Sequence, residues 1–173
     1  MFRRKCRRSY RRSLNVKPIL TVRKAELTDV ESIFELLELY TASGIVLSRS
    51  QEDIALFISN FMVAEVDGTV RGCVALRDFG KDLLEVRSLV VAPDFQGKGI
   101  GKALILAIIS NLKYSRPEWR LFTLTLQTEF FRSLGFREVP KSLFPEKIWS
   151  DCSKCAKRHC CDETALLIES ENL

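Results

Sequence analysis

Residues 83–110, LLEVRSLVVAPDFQGKGIGKALILAIIS, constrain the fold more than any other stretch of the chain. Apolar and β-branched residues dominate Leu83 to Val91, which reads as a buried strand, and Ala92-Pro93-Asp94 stops it. A glycine-rich turn follows, Gln96-Gly97-Lys98-Gly99-Ile100-Gly101. After it, Leu104, Ile105 and Ile108 recur at helical spacing with Ala103 and Ala107 between them, so the turn opens a helix. Strand, glycine turn and helix together make an anion site. Amides in the first turn of a helix have no intrahelical acceptors and sit at the positive end of the dipole. Glycines let a phosphate approach that backbone without meeting a Cβ.

Spacing decides which phosphate ligand is meant. A Walker A loop fails twice: Gln96 stands where its first glycine belongs, and Ala103 replaces the magnesium-binding hydroxyl. A dinucleotide fingerprint starting at Gly97 and Gly99 fails at Lys102, where it needs glycine. What fits is [QR]-x-x-G-x-[GA], satisfied by Gln96, Gly99 and Gly101, which resembles the acetyl-CoA pyrophosphate loop of the GCN5-related N-acetyltransferases (GNAT superfamily). The plain alternative is that these glycines only permit a tight strand-to-helix crossing.

At 173 residues the chain reads as one domain with a sizeable core, and its 46% apolar and 28% charged residues are those of an ordinary globular protein. The apolar run Ala103 to Ile109 is far too short to span a membrane, and the basic amino terminus has no apolar signal region. The expected location is cytoplasmic. The net charge of +5 is concentrated in Arg3, Arg4, Lys5, Arg7, Arg8, Arg11 and Arg12; without these seven, 20 basic residues face 22 acidic ones. Residues 1–17 read as a basic, disordered tail, either solvated or touching nucleic acid or anionic lipid.

Along the rest of the chain, Ile19 to Arg23 reads as a strand. Thr28 and Glu31 form a capping box, opening a helix whose apolar face is Val30, Ile33, Phe34, Leu36, Leu37 and Tyr40. That helix stops near Gly44, and Ser50 with Asp53 starts a shorter one through Ser59. Phe61 to Val66 and Thr69 to Phe79 form a hairpin about Asp67-Gly68. Leu121 to Thr125 is a further strand, Glu129 to Leu134 a short helix, Phe136 to Val139 another strand, and Thr164 to Ile168 an edge strand. The alternation argues an α/β fold with a mixed sheet and helices on both faces. The resemblance implies a single GNAT-type domain over residues 18–173 with a mostly antiparallel central sheet.

Phe130 to Phe136, FFRSLGF, resembles the second signature of that family, in which a short helix lies beside the coenzyme thiol. The family often has a tyrosine that protonates the departing thiolate at the position of Phe131, and a phenyl ring donates no proton. By resemblance, Leu89, Val90 and Val91 lie along the pantetheine arm. Gln96, Gly97, Lys98, Gly99, Ile100 and Gly101 surround the pyrophosphate, and Phe131 completes the coenzyme contacts. Period-two alternation places Glu85, Arg87 and Leu89 on one face of the central strand. Glu85 is the candidate base, since an α-amine is mostly ammonium at pH 7. Arg87 suits a substrate carboxylate through two parallel hydrogen bonds. The competing reading is that Glu85 and Arg87 simply pair with neighbours at the sheet surface.

A narrower resemblance covers almost the whole globular part. Leu47-Ser48-Arg49-Ser50, GCVALRDFGKDLLEVRSLVV from Gly72, FTLTLQTEFF from Phe122 and PEKIWSDCSKC with CDETAL resemble short, stand-alone N-acetylglutamate synthases. That resemblance implies L-glutamate or another small amino acid as acceptor, arginine biosynthesis as the pathway, and Arg49 as a second carboxylate clamp beside Arg87. The partners are then acetyl-CoA and a small amino acid, with neither membrane nor nucleic acid, and a homodimer is one assembly open to the chain.

Cys152, Cys155, Cys160 and Cys161, with His159, lie within ten residues. Zinc or an iron–sulfur centre, reduced thiols and a disulfide all remain open readings of this loop. Two rival functions stand beside the amino-acid enzyme: acetylation of a protein amino terminus or other amine, and a regulator that binds nucleic acid through its tail or metal through its cysteines.

Overall fold

Asp67 and Gly68 both have positive φ, 51° and 76°, as a two-residue hairpin turn matched to strand twist requires. They join β2 (Phe61–Val66) to β3 (Thr69–Gly80) in the computed structural model, which describes residues 18–155 and 159–172. The basic residues of the tail and Cys6 lie outside the described residues. β1 (Leu20–Lys24) runs antiparallel to β2, and β4 (Leu83–Val91) returns antiparallel along β3. A crossover through α3 (Ile100–Ser115) then places β5 (Arg120–Thr125) parallel to β4. β6 (Arg137–Glu138) and β7 (Thr164–Glu169) complete a seven-stranded sheet of order β1-β2-β3-β4-β5-β7-β6. One parallel pair among antiparallel ones gives the expected mixed, mostly antiparallel α/β sheet. The last strand differs from expectation: β7 is interior, buried from Ala165 to Ile168, and β6 is the edge.

Helices cover both faces. α1 (Val30–Thr41) and α2 (Gln51–Leu56) bury Ile33, Leu36, Leu37 and Ile54 against Phe61, Val63, Cys73, Ala75 and Val90. On the other face α3 packs Leu104, Ile105 and Ile108 against Val74, Leu84, Val86 and Leu121, joined by Phe131 of α4 (Thr128–Arg132). Among the described residues no helix is long and apolar enough to cross a membrane.

Ser50 caps α2 as its sequence suggests, accepting the Asp53 N–H at 3.1 Å. The start of α1 departs from the expected Thr28–Glu31 box. Asp29 does the capping instead: its carboxylate accepts the Glu26 N–H at 2.8 Å across the short 3₁₀ turn Leu27–Asp29. Arg23 fixes that carboxylate with two hydrogen bonds of 2.7 and 2.8 Å.

Candidate functional site

The central strand carries a bulge that its sequence alternation conceals. Cys73 faces Val90 and Ala75 faces Arg87, so β4 spends three residues where β3 spends two, and Ser88 takes φ of +53°. Glu85 and Arg87 therefore share the α1 side with Val90, while Leu89 joins Leu84, Val86 and Val91 on the α3 side. The expectation that Glu85, Arg87 and Leu89 share one face is corrected for Leu89.

β4 pairs with β5 only at Leu83–Arg120, Leu84–Leu121 and Glu85–Phe122. Beyond Glu85 the two strands part, and β5 continues its ladder with β7 on its other side. Among the described residues, the β4 edge from Val86 to Val91 has no strand partner on that side, so its amides and carbonyls can pair with an extended, amide-bearing ligand. The fork begins at Glu85.

The open edge leads to the glycine turn. Tyr40 donates its hydroxyl to the Val91 carbonyl, and the Gln96 side chain donates to Tyr40 Oη at 2.7 Å, which ties the turn to α1. Gly97 and Gly99 have φ of +70° and +83°, and Gly99 is the N-cap of α3. Gly72 sets how closely that helix end seats: a Cβ there would lie 3.0 Å from Ile100 Cγ2 and 3.2 Å from the Val90 carbonyl. Lys98 and Arg71 place their cations 4.7 and 4.8 Å from the centroid of the Phe95 ring beside the turn. Arg71 occupies a bulge of β3, where Ala64 faces Gly72 but Glu65 faces Val70, and its Nε is buried without a hydrogen-bond partner.

Phe131 does not line this region. It is 3% exposed and packs edge-on against Phe136 in the core, whereas the Phe130 ring lies 3.4 Å from where a Gly101 Cβ would stand.

At the fork, charges converge. Phe144 stacks on Phe122 with centroids 4.0 Å apart, which anchors α5 (Pro145–Ser150) to the sheet. Lys147 of that helix reaches Glu85 Oε1 at 2.6 Å and Asp151 at 2.9 Å. Glu85 is 3% exposed, and its Oε2 has no hydrogen-bond partner and lies 3.9 Å from Arg87. Asp151 also accepts two 2.6 Å hydrogen bonds from Arg77 and lies 3.4 Å from Arg87. Burial opposes ionisation of Asp151, yet Lys147 and Arg77 outweigh it and hold its carboxyl well below the usual range.

Burial lowers the Arg87 guanidinium from its ordinary value; Glu85 opposes the shift and Arg49 adds to it, so the two arginines are electrostatic neighbours. Arg87 stays a cation. Arg49 pairs with Asp53 at 2.8 Å and lies over the Phe61 ring, two strands across from Arg87 through the Phe61–Ala75–Arg87 register. The structure thus gathers Glu85, Arg87 and Arg49 at one place and adds Lys147, Asp151 and Arg77. Their sequence signal was faint: a Lys147–Asp151 pair at i,i+4 resembles any solvated helix turn.

The cysteines among the described residues are unbridged, and Cys73 is a packing residue whose thiol burial pushes up to about 12. Among the described residues no group of three or more His, Cys, Asp or Glu is arranged to hold a metal ion.

Three comparisons bear on this geometry. A family model described as an acetyltransferase (GNAT) domain matches residues 58–138, which hold the hairpin, the fork and the glycine turn. An uncharacterised N-acetyltransferase of Chlorobaculum tepidum is 41% identical over 146 residues, covering 84% of this chain and 94% of that protein. An amino-acid acetyltransferase of Neisseria meningitidis is 33% identical over 136 residues, 78% of this chain but only 31% of its own length. Among solved structures, N-acetylglutamate synthase from Neisseria gonorrhoeae complexed with coenzyme A and N-acetyl-glutamate superposes with a TM-score of 0.76 at 30% identity. That match covers 87% of this chain and 35% of the synthase, so this chain spans about a third of both Neisseria proteins. Matched by that family model and 41% identical to an N-acetyltransferase over most of both chains, the chain belongs to the GNAT acetyltransferase family.

Proposed function

We propose that the chain transfers acetyl from acetyl-CoA to the α-amine of a small amino acid, L-glutamate first among them. The coenzyme's diphosphate is received by the amides of the glycine turn and the start of α3, from Gly97 to Gly101, with the Lys98 and Arg71 cations beside them. Its pantetheine amides pair with the open edge of β4 along Leu89 to Val91, which delivers the thioester to the fork at Glu85.

Glu85 takes a proton from the substrate ammonium, directly or through one water, because its Oε2 is buried without a hydrogen-bond partner. That oxygen is the single observation carrying the reading. The neutral nitrogen attacks the thioester carbonyl, the new C–N bond forms, the C–S bond breaks, and the excess proton on the nitrogen passes through water to the departing thiolate. Holding amine and thioester together contributes on the order of several kcal/mol. Arg87 and Arg49 grip the acceptor's carboxylates: Arg87's contacts to Asp151 and Glu85 are long, at 3.4 and 3.9 Å, which leaves its donors for a substrate. Two arginines suit a dicarboxylate and disfavour a polyamine. The relative complexed with N-acetyl-glutamate supports the same acceptor.

The reading is tested by incubating the purified chain with acetyl-CoA and a panel of amino acids while thiol release and acetylated product are followed. Glutamate is expected to lead the panel; turnover only with polyamines or peptide amino termini would overturn the acceptor assignment.

A further inference from the structure

The acetyl-transfer reading leaves the cysteine-rich loop unused. Cys152, Cys155, Cys160, Cys161, His159 and Lys141 line one cleft of about 370 Å³ beside α5. Four sulfurs facing a common space, none of them bridged and with no metal-holding arrangement among the described residues, are placed for chemistry on one another.

Two of them are distinguished by their surroundings. Lys141 Nζ lies 3.2 Å from Cys161 Sγ, and Glu163 lies 3.8 Å from the same sulfur on its other side. Lys141 donates to that sulfur, which fixes Cys161 at the wall of the cleft. Cys152 starts the turn directly after Asp151 and is partly buried in the same cleft; burial pushes its thiol up, Lys147 opposes that, and Cys161 adds to it more than Cys155 does.

We propose that Cys161 and Cys152 are a reversible dithiol–disulfide site whose oxidant is a small-molecule disulfide of the glutathione type. The Cys161 thiolate attacks one sulfur of the oxidant, whose S–S bond breaks and whose first thiolate leaves and takes up a proton. The Cys152 thiolate then displaces the second half from the mixed disulfide, forming the protein bond and releasing a second small thiol. Two protein thiols are oxidised and one disulfide is reduced to two thiols, so hydrogens and electrons balance. The bridge closes on the turn that follows α5, next to Asp151 and one helical turn from Lys147, the side chains that hold Arg77 and Glu85.

The test uses the full chain, reduced and then equilibrated with glutathione disulfide, with disulfides mapped by non-reducing proteolysis and mass spectrometry. The expected result is a Cys152–Cys161 linked peptide, reversed by dithiothreitol, lost in Cys161→Ser and kept in Cys155→Ser. Linkage of Cys152 to Cys155, mixed disulfides that never resolve, or stoichiometric zinc released when the thiols are blocked would overturn the proposal. None of these readouts needs acetyl transfer, so a failed acceptor assignment and a failed dithiol site are told apart.

Discussion

Lys147 Nζ stands 2.6 Å from Glu85 Oε1, so α5 and the central strand meet through one charge-assisted contact beside the fork of β4 and β5. Lys147 and Glu85 are both mostly buried, with side chains 12% and 3% exposed. Removing the ammonium leaves the carboxylate without its hydrogen-bonding cation. Lys147→Met is expected to lower unfolding stability by about 3 kcal/mol. Glu85→Gln combined with it is expected to cost clearly less than the two single changes summed, as chemical denaturation in a double-mutant cycle will show.

On the proposed function, Arg49 and Arg87 grip the acceptor. Arg49→Ala and Arg87→Ala each remove one charged hydrogen-bonding partner, on the order of 1.5–3 kcal/mol. The glutamate KM is expected to rise at least tenfold in each, with the acetyl-CoA KM little changed. Steady-state kinetics with each substrate varied separately checks this.

Asp151 makes acid stability a readout of the same cluster. Its carboxyl is held below the ordinary range by Lys147 and Arg77, so its contribution is complete above the unfolded-state value of about 3.9 and is lost as pH falls towards the folded-state value. Urea denaturation between pH 6 and the lowest pH at which the protein stays folded is expected to show a steeper acid decline for the native chain than for Asp151→Asn.

Gly72 tests how α3 is seated. A methyl group there meets Ile100 and the Val90 carbonyl at 3.0 and 3.2 Å, and overpacking of this kind costs about 1–3 kcal/mol. Gly72→Ala is expected to lower the melting temperature and weaken coenzyme binding together, because the helix end that moves is the one proposed to receive the diphosphate.

Much of the architecture was legible because local signals and tertiary packing agree. Asp67-Gly68 allows a tight hairpin, Ser50 and Asp53 cap a helix, and the Gln96 to Gly101 spacing rejects two phosphate loops and fits a third. What was not legible depends on pairing. Nothing in LLEVRSLVV marks Ser88 as the bulge that moves Leu89 to the other face, since β3 imposes that register. Thr164 to Ile168 reads like an edge strand until β6 covers it. Lys147 reaches Glu85 only because Phe144 stacks on Phe122, a contact across 22 residues that no local pattern encodes.

Calorimetric titration of the folded chain with CoA and with acetyl-CoA bears most directly on the central claim that α3's first amides and the open edge of β4 hold the coenzyme. Saturable heat is predicted for both ligands, weakened by added salt and by Arg71→Gln. Absence of any heat from protein that still unfolds cooperatively would contradict it.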